Sequence, residues 1–222
     1  MLRTKAGKTP PGSAVLGREA RATEPVRSGR ILRALGTLFL VGALVVGGYL
    51  GWLLWGTGIG TAREQHHLRQ EFGKLLAHPP RREPRTNPPA SLKEGAPIGI
   101  LRIPRIHLDI VVVNGTSTAD LRKGPGHYLE TAYPWESSGR VAIAGHRTTY
   151  LHPFGSLDKL RRGDAIRLVT EYGTFTYHVT SSRVILPSGV WVLKQTGEPT
   201  LVLTTCTPRF SATHRLVVFA SR

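Results

Sequence analysis

The sequence has a single cysteine, Cys206, among 222 residues. No intramolecular disulfide can form. That leaves a reactive thiol, an intermolecular link, or a small buried hydrophobe. Acidic residues are also scarce: 14 Asp and Glu stand against 30 Lys and Arg, for a formal net charge of +16. The excess is spread over residues 1–33, 56–96 and 97–222. No zinc-finger, recognition-helix or stacking-platform pattern accompanies it, which argues against a nucleic-acid binder. A basic surface facing an anionic membrane or cell wall accounts for it. No internal repeat and no second long apolar run is present. His66, His67 and His78 lack acidic or cysteine partners nearby and read as solvated surface rather than metal ligands.

What is present falls into four zones. Residues 1–33 are rich in Arg, Thr, Gly and Pro without periodicity and read as a basic, disordered cytoplasmic tail. Residues 34–55 carry no charge. As a helix they span ~33 Å, enough for a ~30 Å hydrocarbon core. Tyr49, Trp52 and Trp55 stand where an aromatic belt would lie, and Arg27, Arg30 and Arg33 hold the N-terminal side in the cytoplasm. An uncleaved single-pass anchor is expected, since the run is long for a cleaved signal peptide. Residues 56–96 read as an extracellular stalk. A weak helical period over 62–77 places Leu68, Phe72, Leu75 and Leu76 together. Pro79, Pro80, Pro84, Pro88, Pro89 and Pro97 then stiffen a spacer.

From residue 97 the texture becomes that of strands: 98–103, 108–113, 140–144, 165–170, 174–185, 200–205 and 216–220. Asn114-Gly, Gly124-Pro-Gly, Arg162-Gly-Asp and Leu186-Pro-Ser-Gly punctuate them. Helical texture appears around 118–122 and 154–160. The expectation is a mainly β domain over 97–222, a closed or nearly closed barrel of seven or eight strands with short helices.

Within this domain, Thr200–Cys206 and Arg215–Ala220 read as an antiparallel pair that sets Cys206 beside Arg215. A guanidinium favours a neighbouring thiolate. A nucleophilic cysteine also needs a proton partner. Of His107, His127, His146, His152, His178 and His214, His146 is best placed, because it follows the strand Val141-Ala-Ile-Ala-Gly145. From spacing alone the alternative stays open that His146 is a surface or core histidine. His107 and His178 lie in strand texture, and His214 alternates away from Arg215.

Leu201-Val-Leu-Thr-Thr-Cys206, Arg215 on the next strand, and Ala142-Ile-Ala-Gly-His146-Arg-Thr-Thr-Tyr150 together resemble the motifs of the sortase family. The resemblance runs from about residue 98 to 222. With Gly124-Pro-Gly-His-Tyr128 and Cys206-Thr-Pro208, it is nearest the class E sortases of high-GC Gram-positive bacteria. It implies a cysteine transpeptidase without cofactor. Cys206 would attack the Thr carbonyl of a C-terminal Leu-x-x-Thr-Gly signal on a surface protein and form a thioacyl-enzyme. A peptidoglycan-precursor amine would then resolve it. His146 would move the protons, and Arg215 would hold substrate and steady the oxyanion. The class E likeness implies Leu-Ala-x-Thr-Gly as the signal, with Tyr128 tied to the Ala and Thr205 as a secondary contact. The connection 186–199 resembles the wall of the signal groove. Its Trp191 and Val192 would either cover the signal or pack on the barrel. No acidic cluster suggests the calcium site of some sortases, and no Asp-Pro-aromatic lid points to pilin polymerisation. Arg140 departs from an Asn common in related sequences. Outside the resemblance, a purely hydrolytic thiol peptidase shares the same nucleophile.

Overall fold

A computed structural model describes residues 26–77 and 92–222. The tail before residue 26 and the prolines from Pro79 to Pro89 lie outside the described residues. Two units divide at Val46/Gly47. The first is helical. Its described residues belong to α1, Val26–Gly51, within which Gly29–Gly51 is a 23-residue candidate membrane span. Large apolar side chains along it, such as Phe39 and Leu44, are exposed.

The second unit opens with a π-helical turn, Trp52–Gly56, and α2, Thr57–Ala77. Then come β1 Pro97–Ile103, β2 Leu108–Asn114, α3 Thr118–Lys123, β3 Gly126–His127 and β4 Arg140–Ala144. They are followed by β5 Ala165–Thr170, β6 Gly173–Ile185, β7 Thr200–Thr207 and β8 His214–Ser221. The strands close into a barrel in the order β1-β2-β3-β4-β7-β8-β6-β5. The eight strands match the expected barrel. The two-residue β3 escaped the sequence reading, and the helical texture at 154–160 is only a 3-10 turn over Leu157–Lys159.

Alternation assigns each strand one inward and one outward row. Inward rows supply Leu101 and Ile103, Ile143, Ile166 and Leu168, Tyr177, Leu201 and Leu203 to the main core. The outward row of β1 and β2 is also apolar: Ile100, Val111 and Val113. Such a face needs a cover, and α2 provides it. Leu68 and Phe72, one turn apart, pack there. On the same helical face, the Gln65 amide donates to the carbonyls of Val111 (3.0 Å) and Lys123 (2.9 Å) and accepts from the Val111 amide (2.8 Å). Thr61 donates to the Arg122 carbonyl at 2.8 Å. The segment expected as a stalk helix thus packs on the barrel over residues 61–72, while Leu75 and Leu76 remain exposed.

Candidate active site on the outer face of three strands

Three adjacent strands build the site. β4 and β7 pair in parallel, with Ala144 opposite Thr204, and β7 pairs antiparallel with β8, with Cys206 opposite Arg215. Val141, Ile143, Leu201 and Leu203 point into the barrel. Their even-numbered neighbours Ala142 and Val202 pack on the outside with Val217. Cys206 continues the outward row of β7, and Arg215 that of β8. Beyond β4, the Gly145 amide still donates to the Thr204 carbonyl at 3.1 Å. His146 follows two residues beyond Ala144, the last residue of β4. Cys206 and Arg215 therefore stand opposite each other on neighbouring strands, which are spaced ~4.8 Å apart, and His146 lies in the segment that leaves the end of β4 beside β7.

Their surroundings differ. Cys206 is a free, half-buried thiol. His146 is half-buried and its ring lies 4.7 Å from that of Tyr150. Burial lowers its pKa below the ordinary 6.5, since the charged ring loses solvation. The Arg215 guanidinium donates to the carbonyls of Ala212 (2.9 Å) and His214 (3.1 Å), which ties it to the loop between β7 and β8. The other barrel histidines lie elsewhere. His107, His152, His178 and His214 are exposed. His127 is fully buried: Nε2 donates to the Ala132 carbonyl at 3.0 Å, and the ring stacks on Tyr133 at 4.7 Å. Desolvation lowers its pKa to about 4, so it is a neutral core residue.

Tyr128 follows β3, donates its amide to the Ala142 carbonyl at 3.0 Å, and sets its hydroxyl 3.2 Å from Thr204 Oγ1. Its partner Thr204 lies two residues before Cys206 on the outward row of β7. The Thr205 side chain turns inward and donates to the Gly145 carbonyl at 2.7 Å. It braces the backbone beside His146 rather than presenting its hydroxyl to the face. Val192 is buried against Ala142, Val202 and Val217, whereas Trp191 is 51% exposed and stacks on Phe219. Of the two readings for that pair, Val192 packs on the barrel and Trp191 stands at the surface.

One residue went unassigned in the sequence. Arg147, next to His146, is 7% exposed. It donates to Thr207 Oγ1 at 2.7 Å and to the Cys206 carbonyl at 3.4 Å, and pairs with Asp158 at 3.3 Å. It links the histidine segment directly to the cysteine's main chain. Strand parity carries the clue: Val141, Ile143, Gly145 and Arg147 share the inward side, and a buried Arg requires acceptors. Among the described residues no cluster of His, Cys, Asp and Glu could hold a metal ion.

Comparison with known proteins agrees with this geometry. The family model described as "Sortase domain" matches residues 101–222. Sortase D of Bacillus subtilis is 34% identical over 200 residues, covering 83% of this chain and 96% of its own. Sortase SrtE1 of Streptomyces coelicolor is 30% identical over 230 residues, covering 97% of this chain and 64% of its own. The crystal structure of sortase E1 from Streptomyces coelicolor with a tripeptide in the active site superposes with a TM-score of 0.54. It is 33% identical and covers 57% of this chain and 88% of that one. With the barrel, the cysteine on its outer face and these relatives in agreement, the chain belongs to the sortase family of cysteine transpeptidases and is class E-like.

Proposed function

We propose that Cys206 is the nucleophile, His146 the general acid and base, and Arg215 the oxyanion and substrate ligand of a sorting reaction. The observation that supports this is the pairing of Cys206 with Arg215 across β7 and β8, with the segment carrying His146 leaving β4 beside β7. Cys206 Sγ attacks the Thr carbonyl carbon of the signal, and the Thr–Gly bond breaks. His146 gives a proton to the leaving Gly amine, and a thioacyl-enzyme remains. An amine of the wall precursor attacks the thioester. His146 takes its proton, an amide forms, and Cys206 leaves as the thiolate. The Arg215 guanidinium reaches the developing oxyanion by leaving its loop carbonyls.

The signal is of the Leu-Ala-x-Thr-Gly kind. Tyr128 and Trp191 line its groove, and Val192 and Thr205 shape the groove from beneath. The partners are surface proteins bearing such a signal, a peptidoglycan amine and membrane lipid. Residues 1–33 form the cytoplasmic tail, 34–55 the membrane anchor, 56–96 the connection and 97–222 the extracellular catalytic region. The tripeptide in the active site of sortase E1 supports the substrate class.

The test mixes the full chain in detergent or nanodiscs with Leu-Ala-x-Thr-Gly and Leu-Pro-x-Thr-Gly peptides, with and without diaminopimelate or glycine amines. Mass spectrometry should find a thioacyl adduct on Cys206 that resolves to the amide, with Leu-Ala-x-Thr-Gly preferred. A Cys206→Ala protein that still cleaves either peptide would sink the assignment.

A further inference from the structure

The loop beyond His146 is built against the start of α2, which follows the apolar span in the chain. The candidate span ends at Gly51, and Thr57 follows six residues later, a helical rise of ~9 Å. A bilayer's polar zone is several ångströms deep on each side of its ~30 Å core, so Thr57 falls at that boundary. Here the Tyr150 amide donates to Thr57 Oγ1 at 3.4 Å. A Cβ on Gly58 would lie 3.5 Å from Leu151 Cδ2, so Leu151 packs close to α2 there. Tyr150, Leu151 and His152 all have positive φ, at 51°, 62° and 38°. That is a costly run for residues other than glycine, and surrounding contacts must hold it.

The apolar side chains of this face are not covered. Leu151 is 39% exposed, and Ile59 on α2 is 58% exposed. The β7–β8 loop is tied to the same region, because the Arg209 guanidinium donates to the Gly155 carbonyl. Beside it Phe210, 76% exposed, points a large ring into solvent. Apolar rings and branches with an exposed arginine among them match the chemistry of an anionic lipid surface.

We infer that the Thr149–His152 loop and the Phe210 tip rest on the outer surface of the bilayer, with Leu151 and Phe210 entering its interface. This rests on reading α1 as a membrane anchor. It turns the active-site end of the barrel toward the level at which a membrane-held signal leaves the lipid.

Site-directed nitroxide labelling tests it, using the full chain carrying Cys206→Ala in vesicles of phosphatidylcholine and phosphatidylglycerol. Labels at Leu151→Cys and Phe210→Cys should collide with lipid-dissolved oxygen and be shielded from an aqueous nickel chelate. A label at Arg162→Cys, on an exposed turn bonded through Gly163 to Val179 of β6, which pairs with Ala220 at the opposite end of β8 from Arg215, should show the reverse. A fourth label at Leu44→Cys reports the anchor alone. If Leu44 is in lipid and either Leu151 or Phe210 is as nickel-accessible as Arg162, the docking is wrong and the anchor stands. If Leu44 itself is aqueous, the anchor reading fails and the docking falls with it.

Discussion

Adding one methyl group at Gly145 should damage both folding and chemistry. A Cβ there would lie 2.6 and 2.9 Å from the Phe154 ring, against 3.4–4 Å for ordinary contact. Phe154 is fully buried in the main core and cannot swing into solvent. The glycine cannot retreat either. Its amide is bonded to Thr204 and its carbonyl to Thr205. Relief needs a shift of roughly 0.5–1 Å, and overpacking of this kind costs ~1–3 kcal/mol. For a domain of this size that is a fall in melting temperature of about 3–10 °C. The next residue is His146, and a misplacement of about 1 Å costs on the order of 100-fold in rate. The assay pairs a thermal melt with transpeptidation by Gly145→Ala, and uses the alkylation rate of Cys206 to report an intact nucleophile. Adding Phe154→Leu should restore part of the rate. Wild-type melting and turnover in Gly145→Ala would refute the reasoning that Gly145 is required by the close approach of Phe154.

Three further outcomes are expected. Arg147→Met removes the charged donor from Thr207 and Cys206 and should cost about 2–3 kcal/mol in urea unfolding. It should also lower kcat more than it raises KM, with Arg147→Lys recovering part. Gln65→Leu breaks three buried bonds to β2 and α3. It should destabilise the catalytic unit by about 2–4 kcal/mol, read from the urea midpoint. His127 is held neutral in the fold, at about 4 against an ordinary 6.5. Its contribution is complete above pH ~6.5 and is lost as the pH falls toward 4, by about 3 kcal/mol, because only the unfolded chain takes up the proton in that window. Denaturant melts across the range should show this slope, and His127→Gln should flatten it.

The barrel was legible because most of its strands are long enough to alternate and are bounded by turn residues. β3 has two residues and no pattern to detect, yet it positions Tyr128 beside β4. Cys206 and Arg215 could be paired from sequence because their strands are consecutive and joined by a short loop. His146 could only be ranked, since a parallel β4–β7 pair joins segments separated by β5 and β6. Residue type gave no hint that Thr205 points inward while Thr204 points out. That follows from strand parity, which puts Thr205 on the side of Leu201 and Leu203. The packing of α2 was obscured because half of its buried face is polar. Thr61 and Gln65 satisfy backbone groups that a purely apolar face would leave unpaired.

Because Cys206 and Arg215 sit in register on two strands of a closed barrel, with His146 just beyond a third, these positions behave like teeth on meshed gears. Sliding β7 or β8 by one residue would turn Cys206 or Arg215 into the barrel and bring a core side chain out, and sliding β4 would displace the His146 segment that follows it. Closure leaves no free edge along which the slip could dissipate. A change of length is therefore accommodated in connections, such as 129–139, 186–199 and 208–213, rather than within the strands. Grafting those three segments from relatives should therefore exchange peptide preference while leaving the thiol chemistry in place, whereas a single-residue insertion inside any of the three strands should abolish it.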